Sequence, residues 1–387
     1  MTALDLAIPP APLRDVKPLR ILMVAARYFP LSGGIETHVH EVGSRLAAQG
    51  NDVTVLTADP QGTLSPEETI GGMRVVRMRA RPSGTDWCLA PGILRYLADP
   101  ATRPDVVHVQ GYHTFSAPLG MLGAVRARVP FVLTFHSGGH SSGLRRAVRS
   151  PQAALLAPLA RRAALLIGVS RFEADHFSRL MRIPRERFTV VPNGAGLPAV
   201  AAAPTRAEGG PLVISLGRLE RYKGHHRALE AFAVLRRSLP AARLRILGSG
   251  PYEGELRRLV ERLGLGDAVE IGAIPAAERG AMATTIAGAS LVVLLSDYEA
   301  HPIAVIEALS LGRRVVTTDT SGFRELAEEG LVRAVPLDAP ATEVAAAMAA
   351  EIAQADTVAG PVVLSDWDAC AGRLASLYRA VVAGQGQ

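Results

Sequence analysis

Cysteine, lysine and aromatic residues are all scarce in this chain, and no long apolar run is present. The 387 residues include 2 cysteines, Cys88 and Cys370, too few for a disulfide framework or a metal knuckle. That scarcity favours a reducing, cytoplasmic compartment. No apolar stretch approaches the roughly 18 residues of a membrane span. The opening "MTALDLAIPPAPLRDVKP" lacks a positive start followed by an apolar core, so residues 1–18 read as a poorly ordered tail and not a signal peptide. Aromatics make up 5%, and the arginines behind the net charge of +6 are scattered without interleaved rings, so nucleic acid is not an expected partner. Lys17 and Lys223 are the only lysines. Such a skew towards arginine reads as the codon usage of a GC-rich genome, and against it a lysine at 223 stands out.

What is present is a rhythm. Hydrophobic residues reach 48% and charged residues 20%, and the length allows two domains with real cores. From "RILMVAA" onward, short apolar runs ("DVTVLTA", "DVVHVQG", "PFVLTFH", "LLIGVS", "FTVVPNG") alternate with helical patterns. Alternation of this kind predicts parallel sheets covered on both faces. The stretch 199–210, rich in Ala, Pro and Gly, reads as a linker. The rhythm then restarts with "LVISLG", "RLRILGSG", "AVEIGAI", "LVVLLSD" and "RRVVTTD". The expected fold class is α/β, with two Rossmann-like, doubly wound domains at 19–198 and 211–364 facing a central cleft.

In such sheets ligands bind beyond the carboxyl ends of the strands, which is where the polar and glycine residues fall. Arg218 and Lys223 share the loop of "SLGRLERYKGHH", after a strand and before a helix, a setting suited to a diphosphate. Gly33 and Gly34 form a turn opening a helix, where main-chain N–H groups could approach an anion closely. It is not the dinucleotide fingerprint, which disfavours a nicotinamide enzyme. His136 ends an apolar strand and should point into the cleft, whereas His140, His225 and His226 read as surface residues. Glu299 and Glu307, eight positions apart in "SDYEAHPIAVIEALSLG", should lie in a strand-end loop and in the following helix, which Pro302 opens and Gly312 closes. Eight helical residues span about 12 Å, too far for an acid/base pair acting on one bond. The Asp-Trp-Asp at 366–368 has the look of a metal site, but Asp366 reads better as a helix cap. No other grouping has metal-ligand spacing.

Together, "GGIETHV", "PNG", "GRL…KG", "LGSGP", the paired acids and "DW…LYR" resemble the retaining glycosyltransferases of family 4, which have the GT-B fold. The resemblance spans nearly the whole chain. It implies that Arg218 and Lys223 neutralise a donor diphosphate, that Glu307 holds the ribose hydroxyls, and that Glu299 contacts the transferred sugar. His136 would lie near the reacting carbon, and Gly33 and Gly34 beside the diphosphate and acceptor. Asn193, Gly217, Gly248, Ile274, His301, Pro302 and Ile303 would complete the substrate site, and the helical stretch 366–384 would pack back onto the first domain. The sequence departs from the family pattern at Ala300, His301 and Pro302, where Gly-Phe commonly follows the first acid, and at Ser137. These departures bear on which sugar is held more than on the reaction.

The implied reaction is transfer of a hexose or N-acetylhexosamine from a nucleotide diphosphate sugar, uridine before guanosine, to an acceptor hydroxyl with retained configuration. No metal or other cofactor is expected. Two rivals share the architecture: a sugar-nucleotide epimerase, and a silent sugar-nucleotide-binding module. The acceptor is the least determined element. A basic stretch at 143–164 could rest on anionic lipid at the inner membrane face, implying a glycolipid or cell-envelope glycan acceptor. Pro151 and Pro158 are expected to interrupt it. A GC-rich bacterial source instead points to a small secondary metabolite or aminocyclitol.

Overall fold

The computed structural model describes residues 17–31, 33–83, 88–137, 143–198, 200, 210–275, 278–354 and 364–384, with the side chains of 143–150 excepted. Most of the expected tail and linker and His140 therefore lie outside the described residues, as do the side chains of the arginines in the basic stretch before residue 151.

The first sheet contains β1 (Arg20–Ala25), β2 (Asp52–Asp59), β3 (Glu67–Ile70), β4 (Met73–Arg79), β5 (Val106–Gln110), β6 (Phe131–Thr134), β7 (Leu165–Gly168) and β8 (Phe188–Val190). Their order is β3-β4-β2-β1-β5-β6-β7-β8, parallel throughout except for the β3–β4 hairpin. The second sheet contains β9 (Leu212–Leu216), β10 (Arg243–Leu247), β11 (Val269–Gly272), β12 (Leu291–Leu294), β13 (Val315–Thr318) and β14 (Arg333–Val335). It runs β11-β10-β9-β12-β13-β14 and is wholly parallel.

Strand alternation divides each domain's core in two. Leu22 and Val24 of β1 join the cluster on one face, while Ile21, Met23 and Ala25 join the cluster on the other. With both faces buried, β1 reads as a continuous apolar run. The second face of this sheet is completed from far along the chain. Helix Trp367–Val382 buries Trp367, Cys370, Leu374 and Tyr378 against Val39, Val42 and Leu46 of helix Gly34–Ala48. Asp366 caps that late helix, its Oδ1 accepting from Ala369 N at 2.6 Å, and Asp368 pairs with Arg45 at 2.8 Å. Both acids of the Asp-Trp-Asp stretch thus have structural partners.

One local expectation fails. Helix Gly143–Ala160 continues across Pro151 and Pro158. Each proline deletes an N–H, at a cost of about 3 kcal/mol in an isolated helix. Here Ala153, Ala157 and Ala160 are buried in the first-domain core, and tertiary packing outweighs the local penalty. Among the described residues no helix is long and apolar enough to cross a membrane.

Strand order decides where ligands can sit. In the second sheet β9 lies between β10 and β12, so connections leave in opposite directions from β9 and β12. A crevice opens beyond their carboxyl ends. The loop after β9 carries Arg218 and Lys223, and the loop after β12 carries Glu299. In the first sheet the equivalent point lies between β1 and β5, and the loop after β1 leads to Gly33.

Candidate active site

A cleft of about 380 Å³ lies between the two domains. From the first domain it is lined by Gly33, Gly34, His136 and Asn193, and from the second by Gly217, Arg218, Lys223, Glu299, His301, Pro302 and Ile303. Gly248, Ile274 and Glu307 do not line it. Gly248 packs so closely on the first cation loop that a Cβ would fall 1.9 Å from Gly217 O. Ile274 is half-buried against the second-domain core. Glu307 lies in helix Ile303–Ser310, buried, and receives Arg279 at 2.7 Å. The same guanidinium donates to Gly196 O at 2.9 Å.

Lys223 and Glu299 form an ion pair of 2.6 Å at the crevice. Although it sits in a loop, the lysine's side chain is only 16% exposed. Burial opposes its charge, but Glu299 and Tyr222 outweigh that, and its pKa lies above the ordinary lysine range. Ser296 Oγ donates a second bond to Glu299 Oε1 at 2.9 Å, and Asp297 N donates to Tyr222 O at 2.7 Å. The two loops therefore brace each other. Gly224 makes this approach feasible, since its φ is +72° and a Cβ there would lie 1.9 Å from Leu295 O. Arg218 stays half-exposed, held by Glu220 at 2.9 Å and Tyr222 Oη at 3.1 Å.

On the first-domain side, helix Gly34–Ala48 aims its N-terminus at the cleft. A Cβ built on Gly34 meets nothing within 4 Å, so this turn leaves room for a close approach to the main chain. His136 stands at the end of β6, its Nε2 2.7 Å from Gln110 Oε1. Burial, then the nearby rings of His38, His108 and His113, hold its pKa well below the ordinary histidine value. The neutral imidazole is thus the resting form. Asn193 bridges the domains: its Oδ1 meets His38 Nδ1 at 2.9 Å and its Nδ2 donates to His301 O at 3.5 Å. Ser137 Oγ and Tyr298 Oη join the domains a second time, at 2.6 Å.

Several residues escape the sequence reading. His225 is fully buried and not on the surface: Ser215 Oγ meets its Nδ1 at 2.8 Å, and its Nε2 reaches Arg218 O at 3.3 Å. It braces the cation loop from beneath. Glu36, buried beside Arg27 at 3.2 Å, also lines the cleft, as do His113 and Thr114. The strand-end argument that singled out His136 applies equally to His113, which follows β5. His38 lies within "GGIETHV" but receives no role from the sequence reading; its Nε2 is buried without a hydrogen-bond partner among the described residues.

Three histidines, His38 and His225 buried and His301 half-buried, make a prediction about acid. Burial lowers the pKa of His38, His225 and His301 from 6.5 to about 4 each. In the unfolded chain they take up protons near pH 6.5, while the fold refuses them until about pH 4. Stability is fully present above the unfolded value and falls as pH drops through this window, by about 1.4 kcal/mol per pH unit for each histidine kept neutral. Urea midpoints should drop steeply from pH 7 to pH 5. Equal midpoints would contradict this linkage.

Two doubly wound domains facing a cleft, with phosphate-suited cations on one wall and a histidine on the other, have the GT-B architecture. The comparisons agree. The family model Glycosyltransferase Family 4 matches residues 32–197, and Glycosyl transferases group 1 matches residues 200–354. A glycogen synthase of Mycobacterium tuberculosis is 31% identical over 339 residues, covering 81% of each chain. The chain belongs to glycosyltransferase family 4 and is a glycosyltransferase. Among solved structures, sucrose-phosphate synthase from Thermosynechococcus elongatus superposes with a TM-score of 0.78 at 21% identity, covering 94% of this chain and 99% of that one. HepE of Anabaena, in complex with UDP and glucose, gives 0.70 at 20%, covering 95% and 97%.

Proposed function

We propose that this glycosyltransferase moves a hexose or N-acetylhexosamine from a nucleoside diphosphate sugar to an acceptor hydroxyl, with retained configuration and without a metal. The observation that carries this reading is the placement of Arg218 and Lys223 at the crevice beside Glu299. Two cations fixed by the fold can stabilise the charge on a departing diphosphate, the task a metal performs elsewhere. Uridine is the preferred nucleoside, guanosine the second.

In the proposed step the bond between the anomeric carbon and the β-phosphate oxygen breaks. The acceptor oxygen bonds to the same face of that carbon, and its proton passes to the leaving phosphate. Glu299 serves as an acceptor for sugar hydroxyls and not as a nucleophile. Its Oε1 is already held by Lys223 and Ser296, an arrangement that orients a carboxylate and lowers its nucleophilicity. Glu307 would take the ribose hydroxyls through the oxygen not engaged by Arg279. The first-domain wall, with Arg27, Glu36, His113 and Thr114, suits a hydroxyl-rich acceptor such as a glycan, a glycolipid headgroup or an aminocyclitol.

A thermal-shift panel of nucleotide sugars identifies the donor, because binding to the folded state alone raises its melting temperature. With that donor, turnover should persist in excess EDTA. Loss of turnover that only manganese or magnesium restores would overturn the metal-free mechanism.

A further inference from the structure

Behind His136 runs a buried hydrogen-bond chain that reaches the C-terminal helix. His108 and Gln110 lie two residues apart on β5, and alternation puts both on the face that helix Trp367–Val382 covers. Tyr378 Oη lies 2.5 Å from His108 Nδ1, and His108 Nε2 lies 2.7 Å from Thr134 Oγ1. Gln110 Nε2 approaches the same Nδ1 at 3.0 Å, while Gln110 Oε1 meets His136 Nε2 at 2.7 Å. All five side chains are buried.

Two proton arrangements satisfy this chain. In the first, Tyr378 and the Gln110 amide donate to His108 Nδ1, His108 Nε2–H donates to Thr134, and Gln110 Oε1 accepts from His136 Nε2–H. In the second, every donor and acceptor is exchanged and the amide is turned over. A phenol is a stronger donor than an aliphatic hydroxyl and a weaker acceptor. The first arrangement is therefore favoured, and it leaves His136 protonated at Nε2. The backbone around His136 is pinned as well, since the Glu173 carboxylate receives Ser137 N at 2.5 Å and also bonds the His136 amide. No bond from a described residue reaches His136 Nδ1, and the ring lines the cleft.

We propose that Gln110, backed by His108 and Tyr378, is a positioning residue for the transfer: it fixes the Nε2–H tautomer of His136, so that Nδ1 accepts a hydrogen bond from a hydroxyl of the bound sugar. This rests on the reading that the donor sugar lies in the cleft beside His136. The groups facing that ring are His38, His108 and His113, with Glu173 at its backbone; Cys370 stands near Tyr378. Burial and the three neighbouring histidines keep the imidazole uncharged, and a charged ring would offer an N–H in place of the lone pair.

The relay is tested first without substrate. Imidazole ¹⁵N spectra of the free enzyme, with His136 assigned by its absence in His136→Gln, should show a protonated Nε2 and a bare Nδ1. A protonated Nδ1 overturns the proposal. Tyr378→Phe, which keeps the ring packing, should convert this signal to a tautomer mixture; an unchanged signal would remove Tyr378 from the relay and contradict it. Gln110→Glu places a carboxylate against Nε2–H and should raise the His136 pKa. Donor consumption at about pH 7 should then fall at least tenfold and recover at higher pH, with affinity for uridine diphosphate unchanged. An unaltered pH profile in a folded Gln110→Glu enzyme also overturns the proposal. Absence of both uridine and guanosine diphosphate binding in the native enzyme would instead sink the donor reading and leave the tautomer result standing.

Discussion

Lys223→Ala should lower kcat by about 10²–10³-fold, the usual effect of removing one preorganised group that stabilises developing negative charge. It should also destabilise the fold. The alanine leaves Glu299, whose side chain is only 12% exposed, without its 2.6 Å partner. A loss of about 3 kcal/mol is expected, the low end for breaking a buried pair, because Ser296 still bonds the carboxylate. Lys223→Arg separates charge from shape. It keeps a cation, but a planar guanidinium cannot occupy the position of a compact ammonium between Glu299 and a phosphate. Turnover should stay depressed while stability partly returns. An arginine variant as active as the native enzyme would reduce the lysine to a generic charge.

Glu307→Ala should weaken binding of both the intact donor and the bare nucleoside diphosphate by about 1.5–3 kcal/mol, the range for hydrogen bonds to a charged group. Burial raises the pKa of Glu307, and Arg279 opposes that shift. The guanidinium fixes Oε1, and the proposed ribose contact uses the other oxygen. Glu299→Ala should leave affinity for the bare nucleotide nearly unchanged and lower that for the intact donor. Calorimetry with the nucleoside diphosphate and a non-transferable donor analogue distinguishes them. Equal effects of both substitutions on the bare nucleotide would end this division of roles.

The architecture was legible because the signal is periodic and repeated: apolar strand runs, each followed by polar and glycine residues. Strand-end position then located Arg218, Lys223, His136 and Glu299, all of which line one cleft. The burial of Lys223 was not legible. It depends on Glu299, 76 residues away, arriving from the adjacent strand at the crevice. His225 was misread for the same reason, since its partners Ser215 and Arg218 become neighbours only once the loop folds over it. The unbroken helix through Pro151 and Pro158 shows tertiary burial overriding a local rule. Arg279, which sets Glu307, lies 28 residues from it, and no spacing pattern connects them.

We propose that two fixed cations, Arg218 and Lys223, hold the donor diphosphate without a metal. Titration calorimetry of uridine and guanosine diphosphate in excess EDTA, with the native enzyme, Arg218→Met and Lys223→Ala, tests it directly. The account predicts one-site binding of at least one nucleotide to the native enzyme, weakened at least tenfold in each variant. Binding that appears only when manganese is added, or that survives both substitutions unchanged, would contradict it.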